Sequence, residues 1–279
     1  MTVLEVLTAA SGYLAKHGVE SPRLNAEHLL AHALGKKRLD LYMEFDRPLS
    51  DQERAPLREW TRQRGNGIPL QHLLGTAEFF GRSFLCDARA LIPRPETERL
   101  IELIKDSAPT LPANPLVLDI GTGSGVIALT LALEIAESTV TATDLSEKAL
   151  ALAGENATRL AVSDRVSFVH TDLFPESGGP FHLIAANLPY IPSGEIPDLQ
   201  REVQHDPVAA LDGGPDGLAL IRKLITAARA RAVPGALIAL EIGHDQAARV
   251  AALFAENQFS NIQTHRDYEN RERFVFASA

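Results

Sequence analysis

Asp119-Ile-Gly-Thr-Gly-Ser-Gly125 decides the fold. Directly before it runs a short apolar segment, Pro115-Leu-Val-Leu-Asp119, with the length and composition of a buried strand. Directly after it, Val126–Ala136 reads as a helix. Glycines at 121, 123 and 125 let the backbone turn sharply and let a ligand approach with no side chain in the way. A dinucleotide loop requires Gly-x-Gly-x-x-Gly, and Val126 fits that pattern poorly.

Working outward, strands and helices alternate. Thr139–Asp144, Val166–His170, Phe181–Ala186 and Ala236–Glu241 read as strands, with Ser146 capping the helix after the first of them. Helices are expected over Leu218–Val233 and Asp245–Glu256, and further strands near Asn261–Thr264 and Arg273–Phe276. This pattern predicts an α/β, Rossmann-like, seven-stranded, mostly parallel sheet covered on both faces. Such sheets bind ligands beyond the carboxyl ends of their strands.

Upstream, the pattern is helical. Val3, Leu4, Leu7, Ala10, Tyr13 and Leu14 recur at helical spacing up to a stop at Gly18, and Ser21-Pro22 restarts a helix that Gly35 closes. Ser50 with Glu53 three residues on forms a capping box. Phe79, Phe80 and Phe84 around Gly81 read as a β-hairpin. The expected organisation is a helical-bundle domain over 1–74, a hairpin linker over 75–92 and a catalytic domain over 93–279.

Composition excludes several functions. The net charge of -9 offers no general basic field for nucleic acid. A single cysteine, Cys86, rules out an intrachain disulfide and a Cys-rich zinc site, and the histidines are scattered, so no metal is expected. No signal-peptide pattern and no membrane-length apolar run is read, which suits a cytoplasmic protein.

Two further positions carry chemistry. Asp144 ends a strand about 20 residues past the glycines, where a carboxylate accepts hydrogen bonds from vicinal ribose hydroxyls. Asn187-Leu-Pro-Tyr190 follows the fourth strand, at its carboxyl end. An Asn oxygen and a backbone carbonyl there can accept both N–H bonds of a planar amide or aryl amine, and Tyr190 can stack on the planar group.

The glycine spacing resembles motif I of class I methyltransferases, and Asn187–Tyr190 resembles the Asn/Asp-Pro-Pro-Tyr signature of those acting on planar nitrogens. Four more segments look like the peptide chain release factor glutamine methyltransferase (PrmC/HemK) family: Ala90-Leu-Ile-Pro-Arg-Pro-Glu-Thr-Glu98, Asp206–Leu218, Glu241–Gln246 and Asn270–Phe274. The resemblance implies a protein-glutamine N5-methyltransferase using S-adenosyl-L-methionine, with the Gly-Gly-Gln loop of class 1 release factors as substrate. The helical domain would grip the release factor, and the enzyme would be monomeric. The resemblance implies cofactor contacts at Asp119, Gly121, Thr122, Gly123, Ser124, Gly125, Asp144, Asp172, Leu173 and Asn187. It implies substrate contacts at Asn187, Leu188 (through its carbonyl), Pro189 and Tyr190, with Arg94, Pro95 and Glu96 shaping the entrance; helix capping accounts for Pro95, Glu96 and Glu98 equally well.

This chain departs from the family pattern at Leu188, usually Pro, and at Asp206, usually Glu. Asn-Leu-Pro-Tyr is the usual form in rRNA adenine dimethyltransferases, so an adenine-N6 methyltransferase on RNA or DNA is the alternative. A binding module without catalysis and a nicotinamide dehydrogenase find less support in these residues.

Overall fold

The computed structural model describes residues 1–107 and 111–279. Contacts divide the chain into two units: Met1–Thr76 with Gln200–His205, and Ala77–Leu199 with Asp206–Ala279.

The smaller unit is built on α1 (Val3–Lys16), α2 (Pro22–Leu34), α3 (Asp51–Gly65) and the short α4 (Leu70–Leu74). Thr2 and Ser50 each close a capping box, the latter with Glu53 as the spacing predicts. Pro22 opens α2, and Gly35, at φ 61°, closes it in a left-handed cap. The apolar stripes meet in one core around Leu7, Leu14, Leu29, Leu30 and Leu41, all fully buried. Gln200–His205 joins this unit through named contacts. The guanidinium of Arg64 pairs with Glu202, and Arg201 Nη2 donates to Asn66 O at 3.0 Å.

The larger unit opens on the hairpin β1 (Thr76–Phe79) and β2 (Arg82–Leu85), turned by Phe80 and Gly81, both at positive φ. Next come α5 (Pro95–Ser107), β3 (Leu116–Ile120), α6 (Val126–Glu134), β4 (Thr139–Asp144), α7 (Glu147–Arg159) and β5 (Val166–His170). They are followed by β6 (Phe181–Asn187), α8 (Ala219–Ala228), β7 (Ala232–Glu241), α9 (Ala247–Glu256), β8 (Ser260–Arg266) and β9 (Glu272–Ser278). The sheet runs β5-β4-β3-β6-β7-β9-β8, with β9 antiparallel to both neighbours and the other pairings parallel.

Period-two alternation sorts the strand side chains onto two faces. Val117, Leu183, Ala185 and Ala239 pack with α5, α6 and the hairpin phenylalanines Phe79 and Phe84. Leu118, Ile120, Ile184, Ala186, Ile238 and Leu240 pack with α8 and α9. Each fully buried Leu or Ile contributes about 1.5–3 kcal/mol.

Several element ends differ slightly from expectation, and the junction before β7 differs most. The helix expected to reach Val233 ends at Ala228, and β7 begins at Ala232. Val233 precedes Pro234, whose ring disfavours helical backbone in the residue before it. The extra strand length holds a bulge, where the register with β6 shifts between Phe181 and Leu183 opposite the Pro234-Gly235 kink.

Candidate active site

β3, β4 and β6 end side by side, so the loops after them converge. Gly121, Gly123 and Gly125 all have positive φ, at 73°, 55° and 85°. At Gly125 a Cβ would stand 3.1 Å from Ala153 Cβ, so the residue lets α6 approach α7. Asp119 lies fully buried beneath the loop. Its Oδ2 accepts from Thr122 Oγ1 at 2.6 Å and from Ala128 N at 3.1 Å, while Oδ1 has no partner among the described residues. Burial pushes this carboxyl up to about 7, against the pull of those two bonds.

Asp144 is tied into the same loop. Its Oδ2 accepts from Gly123 N at 2.9 Å and its Oδ1 from Ser146 N at 2.8 Å. Each carboxylate oxygen keeps a further lone pair for a ligand. Ser146 Oγ caps α7 through Ala149 N. Leu173 sits at φ 68°, and its carbonyl accepts from Thr143 Oγ1 at 2.7 Å.

These loops enclose a cavity of about 310 Å³. Gly121, Thr122, Gly123, Ser124, Asp144, Asp172 and Leu173 line one part of it; Arg94, Asn187, Leu188 and Pro189 line another. Asp119, Gly125, Glu96 and Tyr190 are not among the residues that line it.

Asn187 ends β6 in register with Glu241 of β7. Its Nδ2 donates to Thr97 Oγ1 at 3.1 Å, and Thr97 Oγ1 donates to Glu241 Oε2 at 2.8 Å. Burial pushes the Glu241 carboxyl up to about 7, opposed by a hydrogen bond from Thr97, the Arg273 guanidinium and a hydrogen bond from the Asn187 amide. Burial also pushes the Tyr190 phenol up to about 12, so it stays protonated at neutral pH.

The chain after Asn187 is held by glycine-bearing neighbours. Gln246 Nε2 donates to Tyr190 O at 2.9 Å, and Ile191 pairs with the 211–213 segment through Ile191 N to Leu211 O and Gly213 N to Ile191 O. A Cβ on Gly213 would stand 2.7 Å from Pro189 O, and one on Gly217 would stand 2.3 Å from Tyr190 O. Upstream, Arg94 Nη2 donates to Asp206 Oδ2 at 2.8 Å. Burial raises the Asp206 carboxyl to about 6 despite that guanidinium.

Several contributors escaped the sequence reading. Thr97 and Glu241 fell within quoted segments but drew no role. Asn156, fully buried on α7, accepts from Leu85 N at 2.6 Å and donates to Leu85 O and Ser124 O, binding the hairpin to the glycine loop. Leu145 lines the cavity although 68% exposed; an apolar residue directly after a strand-ending acid was the available signal. Among the described residues, no group of three or more His, Cys, Asp or Glu side chains is placed to hold a metal ion. No helix among them is long and apolar enough to cross a membrane.

A seven-stranded sheet in this order, with one reversed strand near its edge and a glycine loop after β3, gives the larger unit the class I methyltransferase fold. Solved structures share the fold: the hMettl16 catalytic domain at TM-score 0.60 and 15% identity, covering 76% of this chain and 82% of that one. A Pyrococcus furiosus methyltransferase follows at TM-score 0.54 and 19% identity, covering 71% and 89%. The family models named PrmC N-terminal domain and Methyltransferase small domain match residues 5–75 and 97–214. Release factor glutamine methyltransferases from Geobacter sulfurreducens and Chlorobaculum tepidum are 41% and 39% identical to this chain, each match covering 98% of it and 95% of the relative. The chain belongs to the release factor glutamine methyltransferase family.

Proposed function

We propose that this protein transfers a methyl group from S-adenosyl-L-methionine to the side-chain amide nitrogen (N5) of the glutamine in the Gly-Gly-Gln motif of class 1 release factors. The observation that carries the reading is that Asn187, Leu188 and Pro189 share one cavity with Gly121–Ser124 and Asp144. That cavity fits the cofactor. Its glycine loop leaves room for an amino-acid moiety, the spare lone pairs of Asp144 suit a ribose diol, and Leu145 offers an apolar face to a purine. Asp172, exposed at the rim, suits the purine's exocyclic amine.

The cofactor supplies an electrophilic methyl on a sulfonium. The chain supplies position. Asn187 Oδ1 and the Leu188 carbonyl accept the two N–H bonds of the glutamine amide, so its weakly nucleophilic nitrogen faces the methyl carbon. With the cofactor bound, the nitrogen lone pair would form the new bond to the methyl carbon as the C–S bond breaks, and one amide proton would leave to solvent. Tyr190 packs on the planar amide, while Arg94, held by Asp206, and Glu96 shape the entrance. The helical unit, residues 1–74 in this division, grips the release factor; 75–92 connects it to the catalytic domain over 93–279. The protein acts in the cytoplasm, as a monomer and without a metal.

Leu188 was the ground for an adenine substrate. Its side chain has a packing role of its own, buried at 4% exposure, and only its carbonyl is asked to meet the substrate. Labelled S-adenosylmethionine, with a purified class 1 release factor and the same factor lacking the Gly-Gly-Gln glutamine, tests the reading. Label on the intact factor alone is expected. Label on ribosomal RNA or DNA instead would transfer the assignment to the adenine enzymes.

A further inference from the structure

We infer that Thr97 and Glu241 are positioning residues that fix which way round the Asn187 amide stands. The inference rests on the reading of Asn187 as the group that holds the acceptor nitrogen.

The oxygen and nitrogen of an Asn amide are nearly the same size, so shape alone does not choose between the two orientations. Asn187 is oriented by a directional chain instead. When ionised, Glu241, 2% exposed, can only accept hydrogen bonds. Thr97, 3% exposed, has a single hydroxyl proton and spends it on Glu241 Oε2 at 2.8 Å. Toward Asn187 the hydroxyl can then only accept, and it accepts an N–H of Nδ2 at 3.1 Å, while the Glu241 carboxylate takes a second hydrogen bond from the same amide. The amide nitrogen is thereby turned to Thr97 and Oδ1 to the opposite side, as an acceptor for a substrate N–H. The reverse orientation would set an NH₂ group against the substrate's NH₂, donor against donor. The three residues come from three elements: α5 carries Thr97, β6 carries Asn187, and β7 carries Glu241 in register with Asn187.

The polarity of the chain depends on the charge of Glu241. A protonated Glu241 donates to Thr97, which frees the hydroxyl proton for Asn187 and allows the amide to flip. Glu96 from α5 and Tyr190 after β6 also face this carboxyl, and Arg273 from β9 favours its ionised form. Burial and Glu96 oppose ionisation, so turnover rises with pH as Glu241 loses its proton near 7.

The test compares wild type with Thr97→Val, Thr97→Ser and Glu241→Gln by release-factor methylation across pH. Calorimetry with S-adenosylmethionine and NMR of the Asn187 side-chain amide protons accompany it, each variant first checked for cooperative unfolding. Thr97→Val and Glu241→Gln should lower kcat by roughly tenfold or more while cofactor affinity stays within about twofold. Thr97→Ser should restore most of kcat, and Glu241→Gln should flatten the pH profile near 7. The Asn187 amide protons should exchange slowly in wild type and quickly in Thr97→Val. A Thr97→Val enzyme with wild-type kcat and unchanged Asn187 amide signals would overturn the inference. Wild type that leaves the release factor unmethylated would instead sink the proposed substrate, and the amide protons, read on the protein alone, would still decide the pairing.

Discussion

The Leu188 side chain lies over Gly121, so that a Cβ added at 121 would stand 2.8 Å from Leu188 Cδ2. The glycine loop and the Asn-Leu-Pro-Tyr loop thus approach each other closely at Gly121 and Leu188. Gly121→Ala adds this collision to a φ of 73° that L side chains rarely adopt. The variant should lose about 1–3 kcal/mol of stability and bind S-adenosylmethionine at least about tenfold more weakly. Denaturant titration and calorimetry measure the two effects; unchanged affinity would show that the contact does not shape the cavity.

Leu188→Ala removes the packing and keeps the carbonyl. A loss of about 2–4 kcal/mol in unfolding free energy is expected, with a smaller proportional change in kcat. If kcat collapses while stability holds, the Leu188 side chain itself touches the substrate.

Asn187→Ala should cut turnover by roughly tenfold or more, with a smaller effect on cofactor affinity, because it removes positioning of the acceptor. Single-turnover kinetics beside calorimetry separates the two. Equal losses in both would place Asn187 chiefly on the cofactor.

Asp119 makes stability fall with rising pH. Its carboxyl is pushed up to about 7 in the folded chain from 3.8, so between these values the folded state holds a proton that the unfolded chain has released. Its contribution is full below the lower value and is lost as pH climbs through the upper one. Asp119→Asn keeps an acceptor for Thr122 and Ala128 and cannot ionise. Denaturation midpoints at about pH 5 and about pH 8 should therefore differ less in the variant than in wild type. An unchanged difference would mean that Asp119 does not titrate in this range.

Asn156→Ala strands Leu85 N–H, Leu85 O and Ser124 O. A cost of about 2–4 kcal/mol is expected. Thermal unfolding reads it, and a drop in cofactor affinity should accompany it because Ser124 belongs to the glycine loop.

Much of both units was legible because the signals are local. Thr139–Asp144 and Val166–His170 match β4 and β5 end for end, and the Ser50–Glu53 box stands where its spacing puts it. The roles of Thr97, Asn156 and Glu241 were not legible, since each depends on a partner 32 to 144 positions away along the chain. The glycines at 213 and 217 were visible only as part of a resembling segment. Their requirement is the backbone of Pro189 and Tyr190 at 2.7 and 2.3 Å from an added Cβ, and no sequence window contains that neighbour.

Gln200–His205 carries one consequence for how such a protein can arise or be recombined. The helical unit is assembled from two separated stretches of the gene, one at its start and a second of six codons between Leu199 and Asp206. A fusion or exchange at Thr76 would carry Arg64 and Asn66 away from Glu202 and Arg201. The unit is therefore not a transferable cassette: ancestral shuffling or engineered grafting has to move both stretches or rebuild the shorter one.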